Sequence, residues 1–168
     1  MLPKSAWCRT SALLLVCAAI VGCGSGEPSS SGEGSRLFRS ASLDSACLQD
    51  INAYRDTAGV PRLSAWTDSQ DCLARQARDD ATSGTAHAHF GVCGEWAQNT
   101  CPGWNTNDDD SSRQRTMRSC LRSMWNEGPG SDYAAHGHYL NMTSAKYTKV
   151  GCGFHHSGGS LWINMDFR

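Results

Sequence analysis

No two cysteines of this 168-residue chain stand in a Cys-x-x-Cys spacing, which removes the commonest signature of a zinc cluster or a dithiol redox pair. Neither Gly-x-Ser-x-Gly nor His-Glu-x-x-His occurs, so two familiar hydrolase motifs are missing. There is no internal repeat, and the one long apolar run, Ala12 to Val21, is too short to span a bilayer comfortably. Positive charge is not in excess: 15 Lys and Arg stand against 16 Asp and Glu, for a net charge of −1. Without a basic field a nucleic-acid partner is not expected.

What is present divides the chain into three. Residues 1–22 have the parts of an export signal: a basic start (Lys4, Arg9), the apolar run, and small residues before a cut. Losing them leaves a net charge of about −3. Ile20-Val21-Gly22-Cys23 resembles the lipobox of bacterial lipoproteins, in which the cysteine is acylated and becomes the mature N-terminus. The resemblance implies a cell-envelope protein held to a membrane through lipid on Cys23, and Gly24 in place of Asp implies outer-membrane sorting in a Gram-negative cell. An ordinary secretory signal releasing a soluble protein is the alternative. In residues 23–41 the stretch Gly24 to Ser35 is almost wholly Gly, Ser, Glu and Pro, a flexible tether with a reach of about 20 Å. Residues 42–168 form the single folded domain, and a monomer is expected.

Export gives the remaining cysteines a role. Cys47, Cys72, Cys93, Cys101, Cys120 and Cys152 are even in number and read as up to three disulfides, with 15 possible connectivities. Cys47, Ile51 and Tyr54, widened by Leu48, predict a helix from Ser42 to the break at Gly59-Val60-Pro61. A second helix is expected from Thr67 or Asp68 to Ala81, burying Leu73, Ala77 and Ala81. A third follows the acidic loop Asn105 to Ser112, with Ser111 or Ser112 as cap and Met117, Cys120, Leu121 and Met124 inward. Lys149 to His155 and Leu161 to Phe167 alternate about Ser157-Gly158-Gly159-Ser160 and predict an antiparallel hairpin. Helices first and strands last give an α+β domain.

Five segments resemble, in order, the boxes of the CAP superfamily, the cysteine-rich secretory, antigen 5 and pathogenesis-related proteins. They are Asn52-Ala-Tyr-Arg55 with Gly59-Val-Pro-Arg-Leu63, Gly94-Glu95-Trp96-Ala97-Gln98-Asn99, Met124-Trp125-Asn126-Glu127, Gly137-His138-Tyr139-Leu140-Asn141-Met142, and Lys149-Val150-Gly151-Cys152-Gly153. The resemblance covers about Asp44 to Phe167. It implies an α-β-α sandwich with a small antiparallel sheet between helices, and a central cleft in which some members bind zinc or another divalent cation. Carried over, the tetrad is His87, Glu95, Glu127 and His138, with His89 as the substitute for His87. Neutral imidazole and carboxylate are the usual ligands of an open divalent site, and protons compete for imidazole near pH 6.5. Hydrogen bonding among the same four side chains is the alternative.

Other signals are weaker. Asn107-Asp108-Asp109-Asp110 resembles part of a calcium loop without its Gly and distal Glu, and a helix-capping turn is expected instead. Asn141-Met-Thr143 fits a glycosylation acceptor only formally, lying within the Gly-His-Tyr box. His136 is expected in a loop, His155 and His156 on the surface at the hairpin bend, and Trp66, Trp96, Trp104, Trp125 and Trp162 in core or cleft wall. The sequence departs from the family where Leu63-Ser-Ala-Trp66 carries an extra residue and where Met124 stands at the usual Trp position. Two functions follow. The first is a non-catalytic binding module for a lipid, sterol, glycan or protein; the second is metal-assisted hydrolysis with Glu95 or Glu127 as general base.

Overall fold

The computed structural model describes residues 42–168; the leader, Cys23 and the tether lie outside the described residues. In chain order the elements are α1 (Leu43–Thr57), β1 (Ser64–Ala65), a 3-10 turn (Thr67–Ser69), α2 (Gln70–Ser83), β2 (Ala97–Asn105), α3 (Asp110–Trp125), α4 (Tyr133–Thr143), β3 (Lys149–Ser157) and β4 (Ser160–Phe167). The strands form one sheet in the order β1-β3-β4-β2. Its long pairs are antiparallel, but Ser64 and Ala65 pair with Lys149 and Val150 in parallel, so the sheet is mixed and not purely antiparallel as expected.

The hairpin forms where alternation placed it. Ser157 pairs with Ser160, and Gly158 and Gly159 turn the chain at φ 57° and 76°. A two-residue loop with both φ positive matches the twist of the flanking strands, and glycine adopts it without steric cost.

Alternate residues of a strand face opposite sides of a sheet, and here the two sides differ in chemistry. On one side stand Cys152, Ile163, Met165, Phe167 and Cys101, all buried, against α1, α3 and α4. Disulfides Cys47–Cys152 and Cys101–Cys120 fasten β3 to α1 and β2 to α3 on this side. On the other side α2 lies so close that a Cβ on Gly153 would stand 2.2 Å from the Leu73 carbonyl oxygen, and one on Gly151 2.1 Å from Leu73 Cδ1. The third disulfide, Cys72–Cys93, ties α2 to the loop that follows it. Helices therefore cover both faces, as in the expected α-β-α sandwich.

Three local expectations are corrected. The α3 cap is Asp109, not Ser111 or Ser112: its carboxylate accepts Ser112 N at 2.8 Å and Ser112 Oγ at 2.6 Å. These bonds hold the Asp109 carboxyl below its usual range. His136 is helical, within α4, because Asp132 caps that helix and the Gly137 it contains is tolerated under the Tyr133 ring. His155 and His156 belong to β3 and are half-buried. No described helix is long and apolar enough to cross a membrane.

The first-helix signature proves to be scaffolding. Asn52 donates to Leu63 O at 2.9 Å and accepts Leu63 N at 2.8 Å, so one amide satisfies both backbone groups of the turn. Arg55, with no exposed surface, donates to the carbonyls of Pro61, Met142 and Ser144, joining the ends of α1 and α4. Burial draws its guanidinium below the usual arginine value. Trp125 completes this side, with ring centroids 4.8 Å from both Tyr54 and Tyr139.

Candidate functional site

At the outer edge of the sheet, beyond β2, a cavity of about 240 Å³ is lined by His87, Gln98, Tyr133, His138 and Asn141 among others. Two histidines 51 positions apart in sequence thus share one hollow. His138 sits in α4, where Glu127 accepts hydrogen bonds from its backbone N at 3.0 Å and from its ring Nδ1. His87 lies in the loop after α2, and its Nδ1 donates to Gln98 Oε1 at 2.7 Å. In each ring Nδ1 is occupied, which fixes the tautomer and leaves Nε2 for the cavity. His87 is also the sole non-glycine among the described residues with positive φ, at 64°. A residue held in that region costs about 1 kcal/mol or more and recurs where side chains are aimed for function.

His89 is placed differently. Its backbone N and its Nδ1 both donate to Asp80 Oδ1, at 2.8 and 2.7 Å, and it does not line the cavity. Geometry separates the two candidates: His87 shares the hollow with His138, while His89 anchors the loop to α2. Glu95 is buried and accepts from Gln76 Nε2, from Gly91 N and from Cys93 N, the last at 3.1 Å. It organises the loop that carries His87. Glu127 lies beside the cavity as the partner of His138, and its carbonyl also accepts His136 Nδ1 at 2.7 Å. The structure therefore brings His87 and His138 together, sets Glu127 behind one of them, and places Glu95 in the loop.

Behind this cleft lies a polar layer that the sequence reading missed. The α2 face of the sheet carries Gln98, Thr100, Asn164 and Asp166, all buried. Gln98 Nε2 donates to Asp166 Oδ1 at 2.8 Å, Thr100 Oγ1 to Asn164 Oδ1 at 3.1 Å, and Asn164 Nδ2 to Asp80 Oδ2 at 2.8 Å. Burial pushes the Asp166 carboxyl well above the usual carboxylate range; the Gln98 bond opposes this, and the charges of Glu95 and Asp80 add to it. Asp166 Oδ2 has no hydrogen-bond partner among the described residues. A second relay on the far side of β2 runs from Asn99, which donates to His138 O at 3.0 Å, to Asn141 and Tyr133. Polar residues at alternate positions, Gln98 and Thr100 in one strand and Asn164 and Asp166 in another, were the available signal.

The donor set permits a divalent cation only in part. Two imidazoles with free Nε2 atoms suit zinc or a similar ion, yet among the described residues no group of three or more His, Cys, Asp or Glu is arranged to hold a metal. Water or a bound ligand would have to supply the remaining positions. Trp96, expected in core or cleft wall, is 60% exposed, with the Arg168 guanidinium 5.3 Å from its ring.

With fold and cleft in view, comparison gives them a class. The model of the cysteine-rich secretory protein family, CAP, matches residues 48–163, and the chain belongs to that family. Solved structures agree in fold. BmVAL-1 is similar at 14% identity with a TM-score of 0.59, over 80% of this chain and 79% of that one. NaASP2 with Zn²⁺ is similar at 10% identity with a TM-score of 0.55, over 73% and 77%. Na-ASP-1 shows 21% identity and a TM-score of 0.50 over 73% of this chain, which spans only 35% of that protein. No curated protein sequence matches the chain. The three disulfides fit an extracytoplasmic location.

Proposed function

We propose that this chain is an extracytoplasmic binding module, tethered to a membrane through lipid on Cys23, whose cleft offers His87 and His138 to a divalent cation such as zinc. The observation that carries the reading is the pair of imidazoles in one cavity, each with Nδ1 held, by Gln98 and by Glu127. Such fixing aims Nε2 before any ion arrives and lowers the ordering cost of binding. NaASP2, similar in fold, is a zinc-bearing case. An ion on two protein ligands keeps open positions, so the cleft would recognise a partner that completes the coordination, such as a carboxylate-bearing lipid or protein group. Hydrolysis has less support, because Glu95 is saturated by backbone amides and Gln76, and neither Glu lines the cavity.

Titration calorimetry with zinc tests the cleft. Binding is expected at pH 7.5, weakened at least tenfold at pH 5.5 because imidazole must be neutral to ligate, and lost in His87→Ala and His138→Ala. Equal affinity at both pH values, or unchanged binding in both variants, would refute it. Labelled palmitate tests the tether: incorporation is expected in the wild type and not in Cys23→Ser, and label on the Ser variant defeats the anchor. Loss of a measured turnover in Glu95→Gln with zinc binding retained would favour the hydrolytic reading.

A further inference from the structure

A larger hollow lies away from the histidines, between the outer end of β2 and the first turns of α3. It measures about 700 Å³, inside the roughly 300–1,000 Å³ range of small-molecule sites, and its walls include Trp104, Asn105, Asn107, Arg115, Thr116 and Ser119. The frame is braced where β2 meets α3 and the β3–β4 turn. A register shift between Cys101 and Trp104 re-aims the strand, and the Cys101–Cys120 disulfide ties it to α3. Thr116 Oγ1 donates to Asn105 O at 3.0 Å, and Thr106 N to Gly159 O at 2.9 Å. Little ordering is left to a ligand.

The lining narrows the ligand's chemistry. Trp104 is half-buried and lines the hollow with its indole, Asn105, Asn107, Thr116 and Ser119 offer amides and hydroxyls, and among the described residues no carboxylate lines it. Arg115 is exposed and donates through one nitrogen to Ser112 Oγ at 2.7 Å, while Ser112 in turn donates to Asp109. Asp109 is thereby engaged at the helix start, and the guanidinium of Arg115, which lines the hollow, has further N–H donors beyond this bond. A fatty chain would meet too many polar groups here, and a plain anion would have no use for the indole. A sugar ring uses both: its C–H face lies on Trp104 while hydroxyls bond the amides, and a ring carboxylate takes a paired contact from Arg115.

We infer that the Trp104–Arg115 hollow is a second binding site, for an acidic saccharide, independent of the histidine cleft. The test titrates the purified full chain with trigalacturonate and with maltotriose, a neutral trisaccharide, by calorimetry. Trigalacturonate should bind, maltotriose at least tenfold more weakly. Arg115→Gln, an exposed position that leaves the core untouched, should weaken trigalacturonate at least tenfold, and His87→Ala should leave it unchanged. Trp104→Phe should weaken both sugars. No heat with trigalacturonate, wild-type affinity in Arg115→Gln, loss in His87→Ala, or competition by acetate at the same concentration per carboxylate each overturns the inference, the last by showing an anion site without a sugar.

Discussion

Replacing Gly153 by alanine adds one methyl group at the place where α2 lies closest to the sheet. The new Cβ would stand 2.2 Å from the Leu73 carbonyl oxygen and 2.6 Å from its carbonyl carbon, against the 3 Å or more that real contacts keep. Backbone cannot rotate aside, so helix and strand must part by about 1 Å. Overpacking of a fitted core costs about 1–3 kcal/mol, and a backbone obstacle belongs at the top of that range or above it. Gly151→Ala supplies the control, because its obstacle at 2.1 Å is the end of the Leu73 side chain and the next atoms are 3.6 Å away. Leu73 can turn, at a cost of about 1 kcal/mol. With a urea m value near 2 kcal/mol/M, the midpoint should fall by about 1.5 M for Gly153→Ala and about 0.5 M for Gly151→Ala. Urea unfolding followed by tryptophan fluorescence, with disulfides intact, reads both. Equal shifts, or a larger one for Gly151→Ala, would refute the claim that α2 rests on the strand backbone.

Three further outcomes are expected. Loop-closure entropy makes the Cys47–Cys152 bridge, spanning 105 residues, worth about 4.8 kcal/mol against about 3.2 for Cys101–Cys120, spanning 19, so the Ala double variants should differ by about 1.5 kcal/mol in chemical denaturation. Because the Asp166 carboxyl is raised in the fold, the native state holds a proton that the unfolded chain releases; the stability it contributes is full below the unfolded value of 3.8 and is lost as pH rises toward the folded value. Asp166→Asn should therefore gain on the wild type across that window, by up to about 1.4 kcal/mol per pH unit, and parallel stability profiles would refute this. Glu127→Gln keeps an acceptor for His138 but removes the charge, so zinc affinity should fall about tenfold while melting changes little; unaltered affinity would show that Glu127 does not orient the ring.

The elements visible in the sequence are those with a strong local signature. Cys47, Ile51 and Tyr54 at helical spacing gave α1, and the alternating runs about Gly158-Gly159 gave the hairpin. β2 escaped because it is buried for five residues and so lacks alternation of hydropathy, and α4 escaped because its glycine and histidines read as loop. The pairing of His87 with His138 was legible only through family likeness, and both line one cavity. What no local pattern carried was the work of Asp80. A buried aspartate looks in sequence like any surface one, and only the packing of α2 on the sheet reveals that it turns inward. Asn52 and Arg55 were legible as a signature but not as a clamp, since their partners are backbone carbonyls and amides that have no letter in the sequence.

The contrast between the oily and the hydrogen-bonded sides of the sheet separates two kinds of mutational tolerance. On the oily side a change is judged by volume, and neighbours of similar size can be exchanged while the fold survives. On the other side each donor must find its acceptor, so a single exchange among Thr100, Asn164 and Asp80 strands a buried group. The loop that bears His87 leads into β2, and Trp104 stands near the other end of that strand, at the seam between these regimes. Substitutions can be tried there at little risk to the body of the molecule.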